Sequence, residues 1–160
     1  NEVLALVGHM SRFRDRVITF AASGTCQLEI NGPQIKQVVL NLVANALEST
    51  GEGGHLDIEL VSQADLVTLS FADDGCGMAA DTIENLFEPF FTTKSTGQGT
   101  GLGLSISHRI ISDHGGTIEA SSGGVGQGSQ FRLQLPRRTG QLDSEWLGTV
   151  SSQGSSQGSS

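Results

Sequence analysis

The segment from Pro33 to Thr50 most constrains what this chain can become. Ile35, Val38, Val39, Leu42, Val43, Ala46 and Leu47 recur at the i, i+3, i+4, i+7 spacing that puts side chains on one face of a helix. Pro33 suits the first turn and Gly51 suits the end. A helix with so wide an apolar face must bury it against a second layer. The residues that follow offer one: Leu56, Ile58 and Leu60 alternate with polar residues, and so do Val67, Leu69 and Phe71. Between these two strands Gln63-Ala64-Asp65 reads as a hairpin turn.

The rest of the chain fills in the same plan. Strands are expected at Arg14–Phe20 and Thr117–Ser121, with a weaker one at Cys26–Ile30. Another runs from Gln130 to Leu135, where Phe131, Leu133 and Leu135 share one face. Asn1–Val7 reads as the end of a helix that starts upstream. A short helix is expected at Ala79–Leu86, and a longer one at Gly101–Asp113 with Leu102, Ile106 and Ile110 on one stripe. The expected fold is α+β, a two-layer sandwich in which a mixed, mostly antiparallel sheet carries about three helices on one face. Pattern disappears after Pro136, and Ser151–Ser160 has no apolar side chain with which to repay the entropy of ordering. Residues 1–136 are therefore expected to form the domain, and 137–160 a flexible tail or linker.

Composition excludes some functions. A net charge of −8 argues against wrapping a nucleic acid, which wants a Lys/Arg footprint. It leaves room for a local phosphate site built from backbone N–H groups and a metal. Cys26 and Cys76 lie far apart and form neither a disulfide framework nor a zinc site. No apolar run approaches the roughly 18 residues of a membrane span, and there is no signal peptide, so the chain is expected to be cytoplasmic, either by itself or as the cytoplasmic part of a membrane-bound sensor.

Several polar residues have a local reading and a functional one. Asn41 and Asn45 sit four apart at the edge of the apolar stripe, where Asn is a mediocre helix former. They form either a solvated face or the wall of a cleft, and amide oxygens are hard ligands that suit Mg²⁺. Asp73 continues the parity of Val67, Leu69 and Phe71, so its carboxylate turns toward the apolar face and needs donors there. Alternatively it caps the turn, or the helix from Ala79. Gly75 and Gly77 allow close approach of a ligand. Gly97, Gly99, Gly101 and Gly103 alternate into a helix, which makes either a phosphate loop or a plain flexible one. Lys94, beside three phenylalanines in an irregular stretch, either meets phosphates or is solvated.

Together these residues resemble the histidine kinase branch of the superfamily that also holds DNA gyrase, Hsp90 and the mismatch-repair ATPases. Gln37–Ser49 (QVVLNLVANALES) is similar to the N box and Asp73–Met78 (DDGCGM) to the G1 box. Phe87–Lys94 (FEPFFTTK) is similar to the F box, in the form seen in kinases of the nitrogen-regulation type. Gly99–Leu104 (GTGLGL) resembles the G2 box, and His114-Gly115-Gly116 follows in the usual place.

The resemblance implies a Bergerat-type fold that binds Mg-ATP and donates the γ-phosphoryl group to a histidine. Asn45 would hold Mg²⁺, and Asn41 beside it would orient the phosphates. Asp73 would accept a hydrogen bond from the adenine amino group, with Gly75, Gly77 and Met78 close to the base. Gly99, Thr100, Gly101, Leu102, Gly103 and Leu104 would wrap the phosphates, and Thr93 and Lys94 would touch them. Ser129, on the inward parity of Phe131, would reach the Asp73 region. The implied partners are a phosphoacceptor helical hairpin of the same protein and, indirectly, the receiver domain of a response regulator. None of the four histidines lies in a motif like H-E-x-x-x-P. His9, His55, His108 and His114 all read as structural or solvated, His108 on a helix surface and His114 as a favourable charge at a helix C-terminus. The alternatives are a nucleotide-sensing domain without transfer, and a serine-directed anti-sigma-type kinase of the same superfamily.

Overall fold

A computed structural model describes residues 15–24, 28–92 and 102–137. The described elements are β1 (Val17–Ser23), α1 (Gly32–Ser49), β2 (His55–Ser62), β3 (Leu66–Asp73), α2 (Ala80–Asn85), α3 (Gly103–Asp113), β4 (Thr117–Ser121) and β5 (Ser129–Pro136). The five strands form one sheet in the order β1-β2-β3-β5-β4. β1 pairs with β2 in parallel, and every other pair is antiparallel. A parallel pair needs a crossover connection, and α1 supplies it.

The helix with the wide apolar face forms as its spacing demands. Asn31 caps it, its side chain accepting from the Gln34 N–H at 3.1 Å, and Pro33 occupies the first turn. Val38, Leu42, Val43, Ala46 and Leu47 are buried, while Ile35 and Val39 are partly covered at the margin. Their partners are Leu56 and Ile58 on β2, Phe71 on β3, Phe131, Leu133 and Leu135 on β5, and Ile110 and Ile111 on α3. At the far end of α1, the Thr50 hydroxyl donates to Leu47 O at 2.9 Å, and Arg16 Nη2 donates to Thr50 O at 3.0 Å. A guanidinium there satisfies a helix-end carbonyl and complements the dipole.

Three expectations shift. β1 runs three residues further than Arg14–Phe20 allowed, because its ladder starts where Val17 N meets Gly54 O at 2.8 Å and then follows the whole of β2. Residues 28–30 form no strand: β1 is the edge of the sheet and pairs only with β2, so the alternation there reflects Leu28 packing on the core. Cys26 and the 1–7 helix lie outside the described residues. On α3 the buried face is Ser107, Ile110 and Ile111, while Ile106 points outward at 38% exposure. The turn is rotated from the expected stripe because Ser107, although polar, has buried partners.

His114 is structural, as expected, through hydrogen bonds at both ring nitrogens. Its Nδ1 lies 2.7 Å from Ile110 O, and its Nε2 accepts from Asn31 N–H at 3.1 Å. A carbonyl facing one ring nitrogen and an N–H facing the other require the neutral tautomer with the proton on Nδ1. His114 is buried and ties the end of α3 to the start of α1, rather than lending charge to a helix end.

Candidate functional site

Asp73 ends β3 with the parity of Phe71, opposite Ser129 on β5 and Leu56 on β2. Its Oδ1 accepts from Gly75 N–H at 2.9 Å and from the Ser49 hydroxyl at 3.2 Å. Both readings of this residue therefore hold: the bond to Gly75 closes a local turn, and the side chain faces the end of α1. Burial pushes its pKa above the ordinary carboxylate value, while Gly75 N–H, the Ser49 hydroxyl and the Ser129 N–H pull it back. Asp74 points the other way, accepting from His55 N–H at 2.9 Å, and that bond holds its pKa below the usual range.

Ser49 is a residue that sequence reasoning left unassigned. Its Oγ lies 2.8 Å from Ala46 O as well as 3.2 Å from Asp73, so one proton serves two acceptors. Its carbonyl accepts from Cys76 N–H at 3.1 Å. A lone serine at a helix end carries no signal beyond a good cap, which is why it was missed.

The two glycines after Asp73 allow close approach, as expected, but the chain itself makes it. A Cβ on Gly75 would meet Ser49, and one on Gly77 would collide with Gly124 O. Gly77 also has φ +68°, which favours glycine. The neighbour is the β4–β5 loop, residues 122–128. It is bound by Gly126 N–H to Cys76 O at 2.6 Å, Gly128 N–H to Gly75 O at 3.2 Å and Met78 N–H to Ser122 Oγ at 3.0 Å. A cleft of about 480 Å³ opens along this loop, lined by Asp73, Ser122, Gln127, Gly128 and Ser129 together with Ala72 and Gln130. It touches neither Asn41 nor Asn45.

Those two asparagines lie on α1, both half-buried. Asn41 Nδ2 reaches Gly103 O and Ser107 Oγ, each at 3.3 Å, so its amide N–H₂ braces α1 against the first turn of α3. The Asn45 carboxamide makes no hydrogen bond to a described residue, and its hard oxygen remains available. Among the described residues no group of three His, Cys, Asp or Glu side chains could hold a metal. The donor set thus fits an ion that takes one or two neutral protein oxygens and relies on the bound ligand for the rest.

Gly103 opens α3 beside Asn41, Leu102 precedes it, and Leu104 packs against the core. Phe87 is partly buried and stacks on His108 with ring centroids 5.2 Å apart, whereas Phe90 stands 73% exposed with φ +65°. Thr93, Lys94, Gly99, Thr100 and Gly101 lie outside the described residues. The candidate site has two ends along α1: the Asp73–Ser49–Ser129 end, and the Asn41–Asn45 end, where Asn41 meets the N-terminus of α3.

The chain is similar to known proteins in sequence and in fold. The solved catalytic domain of histidine kinase ThkA is 36% identical with a TM-score of 0.75, covering 85% of this chain and 90% of that one. A complex of ThkA with the response regulator protein TrrA aligns at 33% identity and a TM-score of 0.72, covering 86% of this chain and 39% of that one. Among curated proteins, the sensor histidine kinase ZraS of Escherichia coli (strain K12) is 38% identical over 137 residues, which is 85% of this chain and 29% of ZraS. The C4-dicarboxylate transport sensor protein DctB of Rhizobium meliloti is 47% identical over 109 residues, 67% of this chain and 17% of DctB. The chain thus spans less than a third of the length of these sensor proteins. No helix among the described residues is long and apolar enough to cross a membrane. With the model of the histidine kinase-, DNA gyrase B- and HSP90-like ATPases matching residues 30–139, the chain belongs to that family.

Proposed function

We propose that this chain binds Mg-ATP and donates the γ-phosphoryl group to a histidine on a separate phosphoacceptor hairpin of the same protein, for onward passage to a response regulator. The observation that carries this reading is the pairing of two chemically different ends on one helix. At one end a half-buried carboxylate, Asp73, has one oxygen engaged by Gly75 and Ser49. The same carboxylate, which the Ser129 N–H also approaches, would accept a hydrogen bond from the amino group of adenine, with Gly75, Gly77, Met78 and Ser129 around the base. At the other end Asn41, one turn from Asn45 on α1, is bonded to the first turn of α3, and the positive dipole of a helix N-terminus favours phosphate.

Mg²⁺ would supply charge neutralisation to the phosphates, and Asn45 is the side chain that would hold it. Asn41 offers its oxygen from an amide fixed by Gly103 and Ser107, and so orients phosphate without moving. Leu102, Gly103 and Leu104 present the helix N-terminus, and the family resemblance assigns Thr93, Lys94, Gly99, Thr100 and Gly101 to phosphate contact as well. Phosphoryl transfer depends mainly on such positioning and charge compensation. The nucleophile is a histidine nitrogen supplied by the hairpin. His114 is neutral with both ring nitrogens engaged, so it is no phosphoacceptor. The domain runs to about residue 136, and the remainder is a tail or linker.

The test is to mix this chain with the hairpin domain of its parent and labelled ATP. The expected product is an acid-labile phosphohistidine on the hairpin. Nucleotide binding without transfer would leave a nucleotide-sensing domain, and acid-stable phosphoserine would point to a serine-directed kinase.

A further inference from the structure

We infer that Ser122, on the β4–β5 loop, is a positioning residue for the adenine end of the site. The inference rests on the assignment of Asp73 to adenine recognition. Ser122 Oγ accepts from Met78 N–H at 3.0 Å and from Gly124 N–H at 3.2 Å. It donates to Gly128 O at 2.6 Å, with Gly124 O a second acceptor at 3.1 Å. One hydroxyl thus fills its donor and acceptor capacity while joining two segments far apart in sequence.

What it joins decides its role. The loop carries two further backbone bonds to the turn after Asp73, from Gly126 to Cys76 and from Gly128 to Gly75. At Gly128 (φ +69°) any Cβ would collide with Asp73 O, so the loop backbone lies directly on the residue that bears the carboxylate. Gly77 meets Gly124 O in the same way. The two glycine-rich segments interlock backbone to backbone, and Ser122 is the side chain that pins them. Its half-buried hydroxyl holds Met78 N–H and Gly128 O in one geometry, which presets Asp73, Gly77 and Ser129 before a base arrives. The sequence offers no hint of this, since Ser121-Ser122 before a run of glycines reads as ordinary loop.

Without the hydroxyl, the Met78 and Gly124 N–H groups lose their acceptor and the loop gains freedom that nucleotide binding must then remove. Ser122→Val and Ser122→Thr provide a matched pair, similar in shape and differing in the hydroxyl. By calorimetry, Ser122→Val is expected to bind ADP about tenfold more weakly, the consequence of one buried hydrogen-bond hub. Ser122→Thr is expected to bind within about twofold of the parent chain. Hydrogen exchange at Met78 and Gly124 should quicken in the Val variant only. The ratio of affinities with and without Mg²⁺ should not change in either, because the loop lies at the base end. Equal ADP affinity for Val, Thr and parent overturns the inference. Asp73→Asn run alongside separates the two ideas: lost binding there with no effect at Ser122 sinks Ser122 alone, while retained binding there sinks the adenine assignment and this inference with it.

Discussion

Asp73 works against the stability of its own domain. Burial raises its pKa, so the folded state holds its proton more tightly than the unfolded state does. Stability contributed by this group therefore falls as pH rises from the ordinary carboxylate value through the folded pKa, and the deficit is complete above it. Asp73→Asn removes the charge and keeps an oxygen for Gly75 N–H and Ser49. The variant is expected to lose ATP binding while melting no lower than the parent at neutral pH. Its advantage should shrink as the pH is taken below the ordinary carboxylate range. Unchanged ATP affinity by calorimetry would refute the role of Asp73, and a lower melting temperature at pH 7 would refute the desolvation argument. The inward parity of Asp73 was legible from Val67, Leu69 and Phe71 alone. Its surroundings were not: Ser49 bonds to Asp73 across 24 positions, and Ser122 bonds to Met78, in the turn after Asp73, across 44.

Among the elements, α1 and the β2–β3 hairpin were legible because their periodicities are local and strong. α3 was legible in extent but not in orientation. Its expected stripe followed apolar residues, whereas the interior takes Ser107 because Gly103 O accepts its proton at 2.8 Å and Asn41 donates to its oxygen at 3.3 Å. Such exchange between helices leaves no mark on hydropathy. Ser107→Ala deletes both contacts in a fully buried position. It should destabilise the domain by about 1–2 kcal/mol in urea unfolding with the slope unchanged. No loss of stability would mean that the Asn41 brace carries no weight. The pairing of β1 with β2 was equally illegible, since nothing within either strand encodes a parallel neighbour more than thirty residues away.

The whole molecule closes at Arg137. Its N–H donates to Asp65 O at 2.8 Å and its guanidinium to Gln63 O at 3.0 Å, so the chain leaves β5 fastened to the β2–β3 turn. The expected boundary at Pro136 rested on the end of alternation, which sees strands and not such a clasp. A chain ending at Arg137 is expected to melt within about a degree or two of the 160-residue one, since Ser151–Ser160 offers nothing apolar to bury. A fall of more than about 4 °C in calorimetry would show that residues 138–150, with Trp146, contribute to the folded unit.

Asn41, Asn45 and Ser49 stand at successive four-residue steps of one helix. At 1.5 Å per residue, about 12 Å separates the brace at α3 from the serine against Asp73. That span belongs to a single hydrogen-bonded rod fixed at both ends, by His114 at Asn31 and by Arg16 at Thr50. α1 therefore acts as a gauge. On the proposed binding mode it would set how far a purine ring can lie from the phosphates it carries, and a molecule with the right chemical groups at the wrong separation would find only half of the site within reach.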